Sequence, residues 1–544
     1  MNRRPSRSIS FKYFLFIVIL ISLSDFVFIA DQRFFRDIFL HLVWRVCLFL
    51  IPVYFFKNHL KIYYWLLIPF IILSSLAISC NLFFNIRITP EVILVVANTN
   101  LREATELARG YILIYLLILL IMMTIYFFLA IRLPAKMPSK KSMYISLTAA
   151  GIFLLLPFFQ KDEEGYLNRE KGYAHTSLPA SFFYDVAKVY SFYKDISNNA
   201  QVRNSFRFNA KQVIQPGERQ IYILVIGESS RAQQWAINGY YRNTSPRLLK
   251  RTNLLSFPNM VSGGYLTEFA VPQIISEATP DHFELQNREK SIVSAFKEAG
   301  FKTYWISNNL DDGHIQMHAK EADEFTVNIG FNPLDMKMID NELTRVLNKN
   351  EEKVFIVLHT IGNHWVYFER YPPAFDVFKP ALNNYNILAS PIRYKNLIIN
   401  SYDNSVLYSD AIIDTVIALT AQKKACSFVF YTSDHGEDLL DDRKERVFHS
   451  SSHPSKYVAH IPFFVWYSDK FRDLFPEKIN WLYNHKDRKI GAENIFPSLA
   501  EMGSLSFPSL DSTKSILSPS FKDSQQKILG GESIVYDYAK LLKE

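Results

Sequence analysis

The chain has 544 residues, 49% of them hydrophobic and 15% aromatic, with a formal net charge of +8. That length accommodates a membrane domain and a globular domain with a core of its own. The modest positive charge comes without a Lys/Arg run or an aromatic-basic stripe outside the loops, which argues against a nucleic-acid partner and for attraction to a membrane surface.

Five apolar runs fill the first part of the chain, at residues 11–30, 38–56, 62–84, 111–131 and 143–159. Most reach the ~20 residues that cross a bilayer as a helix. The first lacks a small-x-small cleavage site before Asp31 and is followed by four more, so it reads as a span and not a removed signal. Arg3, Arg4, Arg7 and Lys12 precede span 1, Lys57 and Lys61 separate spans 2 and 3, and Arg132, Lys136, Lys140 and Lys141 separate spans 4 and 5. These basic segments are expected in the cytoplasm, and five spans then put everything after residue 159 outside the cytoplasmic membrane.

The loop 85–110 between spans 3 and 4 contains an amphipathic stretch, 90–107, with Asn98, Thr99, Asn100, Arg102, Glu103 and Glu106 as polar members; it is expected at the outer interface. Residues 177–196 carry Phe182, Phe183, Tyr184, Tyr190, Phe192 and Tyr193 among Lys and Asp and suit a second interfacial helix, with 197–217 as a linker. The expected organisation is therefore a five-helix membrane domain at 1–160, an interfacial helix and linker at 161–217, and an exported domain at 218–544. Of three cysteines, Cys47 and Cys80 fall in spans and Cys426 stands alone in the exported domain, which excludes an internal disulfide there.

In the exported domain, 221–226, 303–307, 354–358, 427–432 and 461–466 read as buried strands, and 291–299, 340–347 and 397–421 as helices, which implies a parallel-type α/β sheet. Strand ends carry Gly227-Glu228-Ser229, His359-Thr360-Ile361-Gly362-Asn363-His364 and Ser433-Asp434-His435-Gly436-Glu437. A single Glu or His at a strand end is ordinarily structural. Carboxylates and imidazoles from successive strand ends make an O/N ligand set for zinc, with an open position that a hydroxyl nucleophile can fill.

Together with Asn238-Gly239-Tyr240-Tyr241-Arg242-Asn243-Thr244-Ser245-Pro246-Arg247-Leu248 and Ile399-Asn400-Ser401-Tyr402-Asp403-Asn404, these motifs resemble the phosphoethanolamine transferases of Gram-negative envelopes. That family lies within the alkaline phosphatase/sulfatase superfamily and includes the lipid A transferases behind polymyxin resistance. The resemblance covers the whole chain. It implies a zinc enzyme, acting as a monomer, that takes phosphoethanolamine from phosphatidylethanolamine onto a threonine and passes it to lipid A, lipopolysaccharide core or another envelope glycan.

Carried over residue by residue, the metal ligands are Glu228, Asp434, His435 and the nucleophile Thr267, which lies in Asn259-Met260-Val261-Ser262-Gly263-Gly264-Tyr265-Leu266-Thr267. Ser229 and Ser230 compete as nucleophiles because they adjoin Glu228. His364 and His449 match family histidines that face the phosphoryl group or a second metal, with His453 as the rival of His449. His359 and His460 are expected to be structural, and the charge run Asp441-Asp442-Arg443-Lys444-Glu445 a solvated loop. Thr99, Glu103, Asn308 and Asn309 match residues near the donor head group, whereas Val95, Leu310 and Gly313 depart from the pattern there. The family's frequent disulfide around the nucleophile is absent, since Gly263 and Gln273 occupy its positions, so other contacts must hold that loop.

Three other readings compete. A glycerol-phosphate transferase of the lipoteichoic acid synthase type shares the five spans and the threonine, but the interfacial loop and the Gly-Asn-His segment favour the ethanolamine enzyme. A hydrolytic sulfatase would need a Cys or Ser maturation motif that the nucleophile region lacks. A non-catalytic envelope scaffold would not require Glu228, Asp434 and His435 together.

Overall fold

A computed structural model describes residues 7–24, 35–84, 87–98, 101–135, 178–309, 313–327, 334–383, 391–441, 446–449 and 453–544, with isolated positions between 144 and 155. It divides into two compact units, 1–97 with 107–192 and 98–106 with 193–544.

Among the described residues of the first unit, two helices are long and apolar enough to cross a membrane, Leu60–Leu82 and Tyr111–Ala130, and two shorter apolar helices, Lys12–Ile21 and Leu42–Phe55, fall in the first two runs. The fifth run, 143–159, lies outside the described residues apart from isolated positions. Val18, Tyr63, Ile71, Met122 and Tyr126 share one buried cluster. Inside it Tyr63 donates its hydroxyl to the Phe49 carbonyl at 2.6 Å, and Tyr126 donates to the Tyr64 carbonyl, which satisfies both buried phenols. Leu113, Leu117, Leu120 and Ile131 are exposed, an apolar outer surface suited to lipid.

Two boundaries differ from expectation. The stretch 90–107, expected at the interface, is split between the helix Pro90–Asn98 and the start of Leu101–Ala130, one helix that continues into the fourth apolar run. The helix predicted at 177–196 runs from Ala180 to Ser205, well into the expected linker. No Gly or Pro interrupts 197–205. Asn199 donates to the Asp195 carbonyl at 2.9 Å, and Arg203 makes a buried ion pair with Glu321 and donates to the Gln286 carbonyl at 3.2 Å.

The second unit is built on a seven-stranded sheet: β1 Gln220–Gly227, β2 Leu254–Ser256, β3 Lys302–Ser307, β4 Glu324–Val327, β5 Lys353–His359, β6 Cys426–Ser433 and β7 Phe463–Tyr467, in the order β2-β7-β6-β1-β5-β3-β4. The five predicted strands are all present, with ends that agree to within two residues. The sheet is mixed, however: β6, β1, β5, β3 and β4 are mutually parallel, whereas β7 runs antiparallel to both β6 and β2. Phe463 pairs with Thr432, so the chain leaves β6 and enters β7 at the same edge. A parallel β7 would need a crossover to the opposite edge.

Every residue of β1 is buried, as a continuous apolar run at the centre of a parallel sheet should be. Tyr222, Leu224 and Ile226 join one cluster with Phe296 of the helix Ile292–Glu298 and Leu499 of the helix Ile495–Met502. Strand alternation turns Ile221, Ile223 and Val225 to the opposite face. Aromatic stacking tightens the first cluster, with Tyr222 on Phe428 at 4.3 Å and Phe296 on Phe355 at 4.0 Å between ring centroids.

Phe296 has no solvent exposure, so Phe296→Ala is expected to destabilise the second unit by about 3–5 kcal/mol through lost transfer energy and an unfilled cavity. Denaturant unfolding followed by tryptophan fluorescence measures this, and a loss under about 1 kcal/mol would show that the sheet does not depend on that stack.

Candidate active site and metal centre

Strands β6, β1 and β5 are adjacent and parallel, so their C-terminal ends open on one edge, where ligands bind in open α/β sheets. The register sets Gly227 opposite Ser433 and Ile226 opposite both Thr432 and His359. The next residues are Glu228, Asp434 and Thr360, delivered in one layer. Ser229 turns the chain off β1 with a φ of 55°. Gly362, at a φ of 47°, passes so close to β1 that a Cβ would lie 2.8 Å from the Glu228 backbone nitrogen and oxygen, so glycine is required there. Asn363 N donates to the Glu228 carbonyl at 2.9 Å and Thr360 N to that of Ile226 at 3.0 Å, which stitches the two strand ends together.

Glu228, Asp434 and His435 are buried, with one ligand atom from each within 4.8 Å of the others, and they form the one group of three metal-type ligands among the described residues. Asp434 Oδ1 accepts Ser229 N at 3.0 Å and His435 N at 2.6 Å, while its buried Oδ2 has no hydrogen-bond partner. His435 Nδ1 lies 3.0 Å from the Gly436 carbonyl. That contact makes Nδ1 the protonated nitrogen and leaves the Nε2 lone pair, 3.4 Å from Glu228 Oε1 and from Asp434 Oδ2, for another partner. Burial first, and then the Asp434 charge, push Glu228 well above the usual carboxylate range. Asp434 is also penalised by burial, but His435 and the His435 backbone N–H hold it below its ordinary value. Two buried carboxylates sharing one space with a bare imidazole lone pair and an orphaned oxygen fit a divalent cation, which would resolve the conflict.

Thr267 opens the helix Thr267–Ile275. Its hydroxyl donates to Glu228 Oε2 at 3.2 Å and lies 3.4 Å from His435 Nε2. Glu228 Oε2 also accepts the Asn309 amide at 3.0 Å. Thr267 is partly exposed, whereas its rivals Ser229 and Ser230 are wholly buried. The Ser229 hydroxyl donates to Glu228 Oε1 at 2.8 Å, and that of Ser230 accepts the Trp235 indole N–H at 3.0 Å. The loop before Thr267 is held by Gln273, which donates to the Gly263 carbonyl at 2.8 Å, so a hydrogen bond joins the two positions at which the expected disulfide is missing.

The predicted histidines separate clearly. The His449 ring lies 4.1 Å from that of His435 and 6.3 Å from that of His364. Burial, Arg370 and His449 hold His364 down at about 3, and burial lowers His449 to about 4, so both are neutral imidazoles at neutral pH. His453 sits instead 3.0 Å from the Glu544 carboxylate and edge-on to Tyr536. His460 is structural, with Nε2 2.6 Å from the Pro258 carbonyl and Nδ1 3.1 Å from the Gln233 amide. His359 is buried on β5, edge-on to Trp305.

Of the expected head-group residues, Asn309 reaches Glu228, but Asn308 donates to Asp335 Oδ1 at 2.8 Å. Buried Asp335 in turn accepts Ile361 N at 3.0 Å and Gly362 N at 3.1 Å, so Asn308 and Asp335 support the loop that carries His364. Thr99 and Leu310 lie outside the described residues, as does the side chain of Glu103. Val95 is exposed on the helix Pro90–Asn98, and Gly313 opens the helix Gly313–Ala319. The charge run needs one correction: Asp441 is not a solvated residue but pairs with the buried Arg231 guanidinium through both its oxygens, while 442–445 lie outside the described residues. Glu437 was given no role by sequence. It is buried, burial pushes it up to about 8, and its Oε1 lies 3.1 Å from His449 Nδ1. Its place in the Asp-His-Gly-Glu run was the available signal.

A family model described as sulfatase matches residues 220–503, and one described as phosphoethanolamine transferase EptA/EptB matches 43–192. The chain is 25% identical over 509 residues to phosphoethanolamine transferase EptC of Escherichia coli K12, covering 88% of this chain and 86% of that one. Among solved structures, the C-terminal periplasmic domain of Escherichia coli EptC in complex with Zn is 26% identical, with a TM-score of 0.54 over 61% of this chain and 95% of that one. The integral membrane lipooligosaccharide phosphoethanolamine transferase A of Neisseria meningitidis is 22% identical, with a TM-score of 0.73 over 93% of this chain and 98% of that one. With a sulfatase unit over more than half its length and the matching transferase segment before it, the chain belongs to the phosphoethanolamine transferases of the alkaline phosphatase/sulfatase superfamily.

Proposed function

We propose that the chain moves phosphoethanolamine from phosphatidylethanolamine to a hydroxyl or phosphate of lipid A, lipopolysaccharide core or another envelope glycan, through an intermediate on Thr267. It would do so as a multi-pass inner-membrane protein with its catalytic unit in the periplasm. The observation that carries the reading is the hydrogen bond from the partly exposed Thr267 hydroxyl to Glu228 at 3.2 Å, beside the bare Nε2 of His435.

Glu228, Asp434 and His435 would hold zinc, with Thr267 as a further ligand; His364 and His449 would flank this one site. Zinc bound there supplies positive charge that favours an ionised threonine hydroxyl and offsets charge on the phosphoryl group. Glu228 accepts the Thr267 hydrogen bond and so aims the oxygen. Thr267 attacks the donor phosphorus, a Thr267 O–P bond forms, and the bond to diacylglycerol breaks, its oxygen taking a proton as it leaves. His364 and His449, neutral at neutral pH, can hydrogen-bond the transferred phosphoryl oxygens and relay protons. An acceptor oxygen then attacks from the opposite side and frees Thr267 in a ping-pong cycle.

Thr267→Ala should abolish transfer with folding and zinc content retained, because the change is small and at a partly exposed position. Wild-type protein incubated with phosphatidylethanolamine and no acceptor should accumulate a phosphoethanolamine adduct on the Thr267 peptide by mass spectrometry. An adduct on Ser229 or Ser230, or full activity in Thr267→Ala, would refute the assignment.

Chelation should lower the unfolding midpoint of the catalytic unit, since a cation bound only by the folded state adds about 4 kcal/mol when it stands roughly 1,000-fold above its Kd. The double variant Glu228→Gln, Asp434→Asn should lose this sensitivity. A midpoint equally sensitive in both proteins would place the metal elsewhere.

A reporter fused after Lys140 should behave as cytoplasmic and one after Asn209 as exported. An exported reporter at Lys140 would overturn the proposed topology.

A further inference from the structure

We infer that Gln273 is a positioning residue for Thr267: its buried amide clamps the loop before the nucleophile to the helix the nucleophile begins. The inference rests on the reading of Thr267 as the attacking group.

The segment before Thr267 is fixed up to Gly263. Met260 and Val261 pair in parallel with Ile490 and Gly491. Ser262 N donates to the Ala459 carbonyl at 2.8 Å, and the Ser262 hydroxyl donates to the carbonyl of the metal-candidate Asp434. Leu529 N donates to the Gly263 carbonyl at 2.7 Å. Beyond it Gly264 bridges to Leu529 and Tyr265 and Leu266 pack with Val458, and the helix takes the rest of its direction from contacts of its own. It has nine residues and contains Pro272, which removes the backbone donor that would bond the Glu268 carbonyl in its first turn. A helix this short has little stability of its own, so its first turn takes its direction from tertiary contacts.

Gln273 supplies one. Its Nε2 donates to the Gly263 carbonyl at 2.8 Å and to the Phe269 carbonyl, one turn before it, at 2.8 Å. Both protons of one amide thus span the chain on either side of Thr267. Gln273 has no solvent exposure, and at a fully buried helix position stability alone would favour an apolar side chain. Its Oε1 is buried with no hydrogen-bond partner, a cost that a purely structural role does not explain. Gly263 is shaped to the same end. A Cβ there would lie 2.4 Å from Gln273 Oε1, and its three nearest neighbours would all be Gln273 atoms. Glycine therefore makes the room the amide occupies, and the two residues form one unit. A displacement of the threonine hydroxyl by about 1 Å costs on the order of 100-fold in rate, and among the described residues Gln273 is the side chain that ties this helix to the Gly263 carbonyl.

The test uses full-length protein in phosphatidylethanolamine-containing nanodiscs without acceptor, following adduct formation on the Thr267 peptide over time at several donor fractions. Gln273→Leu keeps the bulk and removes the donor. Its adduct rate at saturating donor should fall on the order of 10- to 100-fold, with the half-saturating donor fraction and zinc content within about twofold of wild type. A wild-type rate, or parallel loss of zinc and donor binding, would overturn the inference. Should Gln273→Leu not fold, Gly263→Ala, Gln273→Ala and their combination read the same unit. The combined variant should be no slower than the slower single variant, and losses that multiply would overturn the clamp. An adduct on Ser229 or Ser230 in the unsubstituted protein would sink the nucleophile reading and this inference together, whereas an adduct on Thr267 with an unchanged Gln273→Leu rate sinks the clamp alone.

Discussion

Two carboxylates buried side by side are the constraint on which the catalytic unit turns. Glu228 and Asp434 leave neighbouring parallel strands one residue after Gly227 and Ser433, which are themselves paired, so the sheet register forces them into one buried space. Such a pair is costly, and the cost appears as a raised Glu228 and an orphaned Asp434 Oδ2 beside an imidazole nitrogen whose nearest hydroxyl is that of Thr267. The same proximity makes the site useful, because whatever neutralises the pair is held beside the hydroxyl of Thr267.

The surrounding structure limits how far these groups can relax. Gly362 lets β5 press its loop against the Glu228 backbone, and Asp335 holds that loop by two backbone N–H groups. On the other side Ser262 binds the Asp434 carbonyl, and Gln273 carries that anchorage across to the helix of Thr267. Arg231, itself buried, spans the Glu437 carbonyl and Asp441 behind the metal candidates. Rigidity of this kind suits phosphoryl transfer, where catalysis is mainly placement and electrostatics.

Much of this was legible in the sequence, and unevenly. Strands β1, β5 and β6 could be read because a strand buried on both faces is a continuous apolar run, and Glu228, Asp434 and His435 could be read because they stand where those runs stop. Thr267 has no such local signal; it was found through resemblance to a family. Asp335, Glu437 and Gln273 escaped assignment because their roles arise from contacts such as that of Asp335 with Ile361 or of Glu437 with His449, which no periodicity encodes. The direction of β7 was missed for a similar reason: an apolar strand reads alike in either sense, and the entry edge decides. The length of the helix Ala180–Ser205 was underestimated because polar residues 197–205 look like linker until Arg203 finds Glu321.

The most direct test of the account is the anomalous scattering of crystals of the full chain measured on either side of the zinc absorption edge. The account predicts one strong zinc peak within bonding distance of a Glu228 oxygen, Asp434 Oδ2 and His435 Nε2, with the Thr267 hydroxyl or its phosphoethanolamine adduct facing it. A fully metal-loaded, active protein with no peak among these three residues would contradict it.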